Sequence, residues 1–352
     1  MKNRIIKLVV LLLSCLVLSQ IAQAVNPEPD DLTKYQTRNM HFGVSGGNAN
    51  DVEILNGVLL DCSSGTLGSL LTDTSKTLYI LSNNHVLARF DQASPGENIL
   101  QPGLIDNSCQ PATIVAHYTT APRLDSNVDA AIAQLMPGKM SPIGYIEGIG
   151  TISSVVEAPV VGLAVEKSGR TTGTTTGTIV AINVSLNVGY LYTNQIVVTS
   201  SLGSFALPGD SGSLIVTNAS CHQPVGLLFA GTFDGSYVIA NPVGEVLTKV
   251  GAALGRSLSF VSLVPCHQSG GQGLQLPQQA IDHAGKVLEE NQDELMSQHP
   301  GVLGVGVGAL EDNSGAAAIV FVDKTSSANP QLPDQIDNVP VRVILTDPFI
   351  AY

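Results

Sequence analysis

Phe205-Ala206-Leu207-Pro208-Gly209-Asp210-Ser211-Gly212-Ser213-Leu214-Ile215-Val216 sets one serine between two glycines, with an aspartate before it and an apolar run after it. Those residues predict a tight turn feeding a strand. The glycines let the backbone turn and bring two N–H groups toward one point, while the serine hydroxyl stays beside them. Such a turn can serve acyl transfer, because an N–H pair holds the oxyanion formed when a hydroxyl attacks a carbonyl. Gly, Ser and Asp also dominate ordinary turns. The stretch therefore gains meaning only if the chain supplies a base, an orienting acid and a scaffold.

The scaffold is legible in composition. The chain has 352 residues, of which 44% are hydrophobic and only 13% charged. Helix surfaces normally carry many charges, so this deficit, with 35 glycines, 19 prolines and many Val, Ile and Thr residues, favours a mainly β chain. Short apolar runs separated by turn residues begin at Gly57: Val58–Leu60, Leu67–Leu71, Leu78–Leu81, Thr113–Ala116 and Ala130–Leu135. A second set comprises Pro159–Val165, Thr174–Ile182, Gly189–Thr199, Ser213–Val216, Val225–Ala230 and Tyr237–Ala240. Strands at this cadence predict two successive antiparallel β-barrels, over 57–142 and 143–256, the second closing with a helix that opens at Asn241-Pro242.

The flanks read differently. Met1 to Ala24 has a basic start (Lys2, Arg4, Lys7), an apolar middle and an Ala22-Gln23-Ala24 cleavage site, the pattern of a secretory signal peptide. Losing its three cations takes the formal charge from −13 to −16, which argues against nucleic acid or an anionic membrane as partner and against stable membrane association after cleavage. Export places Cys62, Cys109, Cys221 and Cys266 in an oxidising space, secreted or periplasmic. Of three possible pairings, Cys62–Cys109 with Cys221–Cys266 is favoured because each bond then stays within one half of the chain. No C-x-x-C spacing favours a metal, and no cofactor is expected. Residues 25–56, rich in Pro, Gly and Asn, predict an extended arm with little core of its own. Residues 257–275 form a linker. Residues 276–352 predict a separate small α+β domain, in which the alternating glycines of Val302–Gly308 let a strand lie close beneath a helix.

Two residues upstream of Ser211 complete a chemical set. Leu78-Tyr79-Ile80-Leu81-Ser82-Asn83-Asn84-His85 puts a histidine directly after an apolar strand, where a base is both rigidly held and accessible. Asp129 stands immediately before the apolar run Ala130–Leu135, a boundary where a carboxylate is costly to bury unless it accepts hydrogen bonds. Asp125 is the alternative acid, in a more loop-like neighbourhood.

The order His85, Asp129, Ser211, with base and acid in one β module and nucleophile in the next, resembles the chymotrypsin/trypsin-like serine peptidases. Lys167-Ser168-Gly169-Arg170-Thr171-Thr172-Gly173 and the following Gly177-Thr178-Ile179 resemble the alpha-lytic/streptogrisin-like bacterial branch, and the texture of Ile80–Leu87, Val128–Leu135 and Gly226–Gly231 is similar to bacterial relatives of the plant narrow-leaf trypsin-like proteins. The resemblance covers roughly Gly57 to Leu254. It implies a serine endopeptidase acting on polypeptides, with Ser211 as nucleophile, His85 as base and Asp129 as its orienter. It further implies an oxyanion hole from the N–H groups of Gly209 and Ser211, and an ion pair between Arg170 and Asp210 that fixes the loop. Phe205, six residues before Ser211, argues against trypsin-type specificity. Phe229-Ala230-Gly231 would be the edge strand that pairs with substrate, beside a pocket for a small or apolar residue. Thr176 and Ser213 depart from the branch's usual residues, so the cross-links must differ. A catalytically silent two-barrel binding protein and a serine esterase on the same scaffold are the alternatives. The C-terminal domain could bind substrate, anchor the protein or contact the peptidase core as an intramolecular brake.

Overall fold

A computed structural model describes residues 31–36, 40–263, 266, 273–326 and 331–352. The signal peptide expected over 1–24 lies outside the described residues, as do parts of the arm and linker. The chain begins with strands β1 (Val44–Asn48), β2 (Val52–Leu55), β3 (Val58–Cys62), β4 (Gly65–Leu67), β5 (Ser69–Asp73) and β6 (Leu78–Ser82). After β6 come a one-turn helix α1 (Asn84–Leu87) and strands β7 (Asn98–Gln101), β8 (Thr113–Thr120) and β9 (Ala131–Leu135). Then follow β10 (Ala164–Gly169), β11 (Gly173–Val188), β12 (Tyr190–Thr199), β13 (Leu214–Thr217), β14 (Pro224–Thr232), β15 (Val238–Pro242), helix α2 (Val243–Leu254) and β16 (Leu258–Phe260). The last elements are α3 (Gln278–Gln298), β17 (Val302–Ala309), β18 (Ala316–Asp323), β19 (Gln335–Ile336), β20 (Val339–Thr346) and β21 (Phe349–Ala351).

The first antiparallel sheet has the order β16-β5-β6-β9-β8-β7-β1-β4. Its buried residues, among them Leu70, Ile80, Leu81, Ile99, Val115 and Ile132, belong to one hydrophobic cluster, each contributing about 1.5–3 kcal/mol of hydrophobic stabilisation. β1 corrects the arm expectation. Val44–Asn48 is buried along its whole length and pairs with both β4 and β7. Its glycines imitate a loop in the sequence, yet Gly46 sits so close to Leu67 and to the Leu100 carbonyl that no Cβ would fit. Asn48 also donates from its side-chain amide to the Leu87 carbonyl (2.8 Å), tying β1 to the helix that carries His85. β2 and β3 form an exposed hairpin tethered by the Cys62–Cys109 disulfide.

The second sheet runs β10-β13-β14-β15-β12-β11-β17-β18-β20-β19, with β21 added on β14. α2 buries Val243, Val246 and Val250 in the core of the first sheet, and β16 then pairs with β5. The chain thus returns to its first half and clasps the two barrels together. Cys221–Cys266 is the second disulfide.

The C-terminal α+β segment is not a separate domain, which corrects the second expectation. β17 pairs directly with the long, bulged β11, so the sheet of the second barrel continues into β18 and β20. α3 packs Ala284, Val287, Leu288 and Leu295 into the cluster that holds Val165, Ile196 and Val305. The glycine alternation of β17 has a different purpose from the one expected. Val305 and Val307 are the residues in the helix-side cluster. Gly304, Gly306 and Gly308 make room for Leu186, Val184 and Ile319 and for carbonyls of β11. The glycines therefore permit close strand-to-strand approach at a bulged edge, and the helix rests on the valines between them.

Candidate active site

His85 lies in the first turn after β6, and Asp129 lies two residues before β9, the strand paired with β6. Adjacent strand ends thus bring together side chains 44 positions apart. His85 Nδ1–H donates to Asp129 Oδ2 at 2.6 Å, and the His85 backbone N–H reaches Oδ1 at 3.2 Å. The Asp129 backbone is itself held at both ends. Its N–H donates to the Asn241 side-chain oxygen (2.9 Å), and its carbonyl accepts from the Asn83 amide (2.6 Å). Asp125, the alternative acid, pairs with Arg123 on the exposed surface and takes no part.

The other ring nitrogen, Nε2, lies 2.9 Å from the carbonyl oxygen of Tyr352. A carbonyl can only accept, so this contact is a hydrogen bond when Nε2 carries a proton as well as Nδ1, that is, in the imidazolium form. Burial opposes that charge, but Asp129's charge and hydrogen bond, the Tyr352 carbonyl and the charge of Asp51 outweigh it and raise the pKa above its ordinary value. Phe90 stacks on the ring at 5.6 Å between centroids. It belongs to the run Arg89-Phe90-Asp91, in which all three residues are left-handed, a conformation that costs roughly 1–2 kcal/mol per non-glycine residue. Asp91 anchors the run by accepting from the Asn84 amide at 2.6 Å.

Ser211 sits in the turn between Ala206 and β13, with Gly209 and Gly212 at φ +99° and +91°. Its hydroxyl oxygen lies 2.5 Å from the Tyr352 carbonyl oxygen and 3.3 Å from that of Phe229. Ser211 and His85 thus meet at a single atom. The turn is fixed from the first barrel by Thr66, whose N–H donates to the Ser211 carbonyl (2.8 Å) and whose hydroxyl donates to the Gly209 carbonyl (3.0 Å).

The expected Arg170–Asp210 pair does not form. Arg170 makes a two-pronged contact with Asp106 instead, Nε to Oδ2 at 2.6 Å and Nη2 to Oδ1 at 2.7 Å. Asp210 is fully buried and receives the backbone N–H groups of Thr171 (2.8 Å), Thr172 (3.2 Å) and Leu207 (3.0 Å), and the Thr172 hydroxyl (2.7 Å). Its charge partner is the equally buried Lys167, with Nζ 3.5 Å from Oδ2. Lys167 Nζ also donates to the Thr172 hydroxyl and to the Gly173 carbonyl. The cause is local. The turn after Gly169 directs its backbone N–H groups at Asp210 and sends the Arg170 side chain across to the first barrel, while Lys167, inside β10, faces inward. Burial lowers the Lys167 pKa to about 8 against the opposing pull of Asp210.

On the far side of Ser211, β21 lies antiparallel on β14 with Ala351 opposite Ala230, Ile350 opposite Gly231 and Phe349 opposite Thr232. The Tyr352 N–H donates to the Phe229 carbonyl at 3.2 Å. The edge formed by Phe229, Ala230 and Gly231 therefore holds an extended segment of the chain itself. The Phe229 side chain turns away and packs on Tyr192. The Tyr352 ring is buried in the cluster that contains Phe205, Ala206 and Leu228, and its hydroxyl donates to the Thr232 carbonyl. Gly231 leaves the space that this ring fills, since a Cβ there would strike the Tyr352 hydroxyl. The pocket accommodates an aromatic ring and is larger than one for a small residue.

Sequence reading missed Thr66, Lys167, Asp106 and Tyr352. Lys167 carried one usable signal, a lysine within a strand segment directly before Ser168-Gly169-Arg170. Tyr352 carried none.

A family model described as the Nal1 C-terminal domain matches residues 123–264, well under half of the chain. No curated protein matches. Among solved structures, the chain is similar to a glutamic acid-specific serine protease at 20% identity, covering 62% of this chain and 98% of that one with a TM-score of 0.45. It is similar to a Nocardiopsis protease at 18% identity, covering 56% and 93% with a TM-score of 0.42. The Cellulomonas bogoriensis chymotrypsin gives 20% identity, 62% and 98% coverage and a TM-score of 0.39.

Proposed function

We propose that the chain is an exported serine endopeptidase, without trypsin-type specificity, that hydrolyses peptide bonds through Ser211, His85 and Asp129. The observation that carries this reading is the convergence of Ser211 Oγ and His85 Nε2 on one oxygen, with His85 Nδ1 held by Asp129. In the reaction, a neutral His85 accepts the Ser211 hydroxyl proton at Nε2 as Oγ bonds to the substrate carbonyl carbon. The Gly209 and Ser211 N–H groups receive the oxyanion. His85 then passes the proton to the leaving amine as the C–N bond breaks, and the acyl-enzyme remains. Water repeats the sequence, giving its proton to His85 and its oxygen to the acyl carbon, and Ser211 regains its proton. Asp129 stabilises the imidazolium that forms in each half. Lys167 and Asp210 act behind the loop by fixing its shape. Two disulfides suit an oxidising compartment outside the cytoplasm, and among the described residues no helix is long and apolar enough to cross a membrane.

A fluorophosphonate probe tests the reading. It should attach to Ser211, and both labelling and casein hydrolysis should vanish in a folded Ser211→Ala variant. Failure to label either the folded full chain or a folded Tyr352→Gly variant, whose site is freed of the bound side chain, would remove the peptidase reading.

A further inference from the structure

The segment Phe349–Tyr352 occupies the candidate site in the manner of a peptide ligand. Its strand pairs with the edge of β14, the side chains of Ile350 and Ala351 face solvent, and Tyr352 alone enters the pocket beside Ser211. Phe349 fastens the segment at its other end by packing edge-on against Phe321 at 5.7 Å. The pocket offers apolar walls to the ring and one carbonyl, that of Thr232, to the phenol hydroxyl. A tyrosine satisfies both. A phenylalanine leaves the carbonyl without that donor, a small residue leaves space, and a lysine, although the charges of Asp234 and Asp210 reach this position, replaces the ring with a thin chain that cannot fill the cluster of Phe205, Ala206 and Leu228.

The orientation of the Tyr352 carbonyl adds a second distinction. A substrate carbonyl would aim its oxygen at the Gly209 and Ser211 N–H groups. Here the oxygen lies between Ser211 Oγ and His85 Nε2, the place where water delivers its oxygen when the acyl-enzyme is hydrolysed. The geometry points to Phe349–Tyr352 as a built-in inhibitor of a peptidase site that cleaves after tyrosine. The inference rests on the peptidase reading above. It assigns that site a substrate class, extended peptides with tyrosine on the acyl side of the cut, and a means of regulation, displacement of the tail. Because the tail is tethered, its effective concentration at the site is on the order of millimolar for a short linker, so even weak intrinsic affinity keeps the site filled.

The test compares fluorophosphonate labelling rates of the full chain, Tyr352→Gly, and Ile350→Pro. The last removes a backbone N–H from the tail strand at an exposed side chain and spares the core. Both variants should label at least about tenfold faster than the unaltered chain, and the added tetrapeptide Phe-Ile-Ala-Tyr should slow them again. Anilides of Phe-Ile-Ala-X should be cleaved by either variant fastest with X = Tyr, then Phe, with Ala and Lys behind both. Equal labelling rates in all three proteins, or a preference for Ala or Lys over Tyr, would overturn the inference while leaving a serine peptidase in place. Absence of labelling in every folded protein would overturn the peptidase reading and this inference with it.

Discussion

The two barrels hold their parts of the site in different ways. On the first, His85 and Asp129 stand at the ends of neighbouring strands, and one charged hydrogen bond of 2.6 Å joins them. On the second, Ser211 depends on a loop whose shape is set from behind by a buried carboxylate with four N–H or O–H donors and a lysine. The first arrangement is a chemical contact whose loss should leave the fold intact. The second is a structural knot whose loss should be felt in stability before it is felt in chemistry. Both carboxylates are buried, and the contrast follows from their partners: Asp129 is held by one histidine at the candidate site, whereas Asp210 is compensated by a loop's donors and a buried lysine.

The most severe break in this contrast is Asp129→Asn. It should lower kcat by about 10⁴-fold with little change in melting temperature, because the amide would stabilise the wrong tautomer of His85; steady-state kinetics on a Tyr352→Gly background and a thermal melt check it. Lys167→Met should do the reverse. Leaving the Asp210 carboxylate buried without its cation should cost about 3–5 kcal/mol of stability, visible as a lower denaturant midpoint. Arg170→Met, which removes the partly buried two-pronged contact with Asp106, should cost a smaller amount, about 1.5–3 kcal/mol. A larger loss for Arg170→Met than for Lys167→Met would contradict the assignment of charge partners.

The mildest expected effect is a pH dependence of the tail. The His85 pKa is raised in the folded protein, with Asp129 and Asp51 as the acidic groups acting on it. The stabilisation that its protonated ring gives to the bound Tyr352 carbonyl is therefore complete below the ordinary histidine value of 6.5 and is lost as pH rises through the raised value. The tail should loosen by at most about tenfold per pH unit in that window. The midpoint of a labelling-versus-pH curve should accordingly lie higher in the unaltered chain than in Tyr352→Gly, and coincident midpoints would show that His85 does not grip the tail.

The contrast between the barrels also separates what was legible. His85 and Asp129 were readable because each lies at the boundary of an apolar run, and strand ends in a β-barrel are where polar groups can be both rigid and accessible. The serine turn was readable from its glycines. The partner of Asp210 was not, since the choice between Lys167 and Arg170, three residues apart, depends on which side chain of a strand-to-turn junction faces inward. The Gly-Asn stretch before Gly57 misled because glycines chosen for close strand approach look the same as glycines chosen for a loop. The same ambiguity affected the glycines of β17.

The sequence by itself determined the mainly β architecture and singled out the histidine, aspartate and serine that the fold brings together at the barrel junction, because local patterning of apolar runs and turn residues governs each. Only the tertiary structure decided that β21 lies on the edge of β14, beside Ser211. Tyr352 is 141 positions from Ser211 and 267 from His85. No local propensity encodes contacts at that range. They arise because β17 joins β11, the sheet carries the chain past the barrel, and a strand with an aromatic at its end finds an open edge and a pocket that fits it.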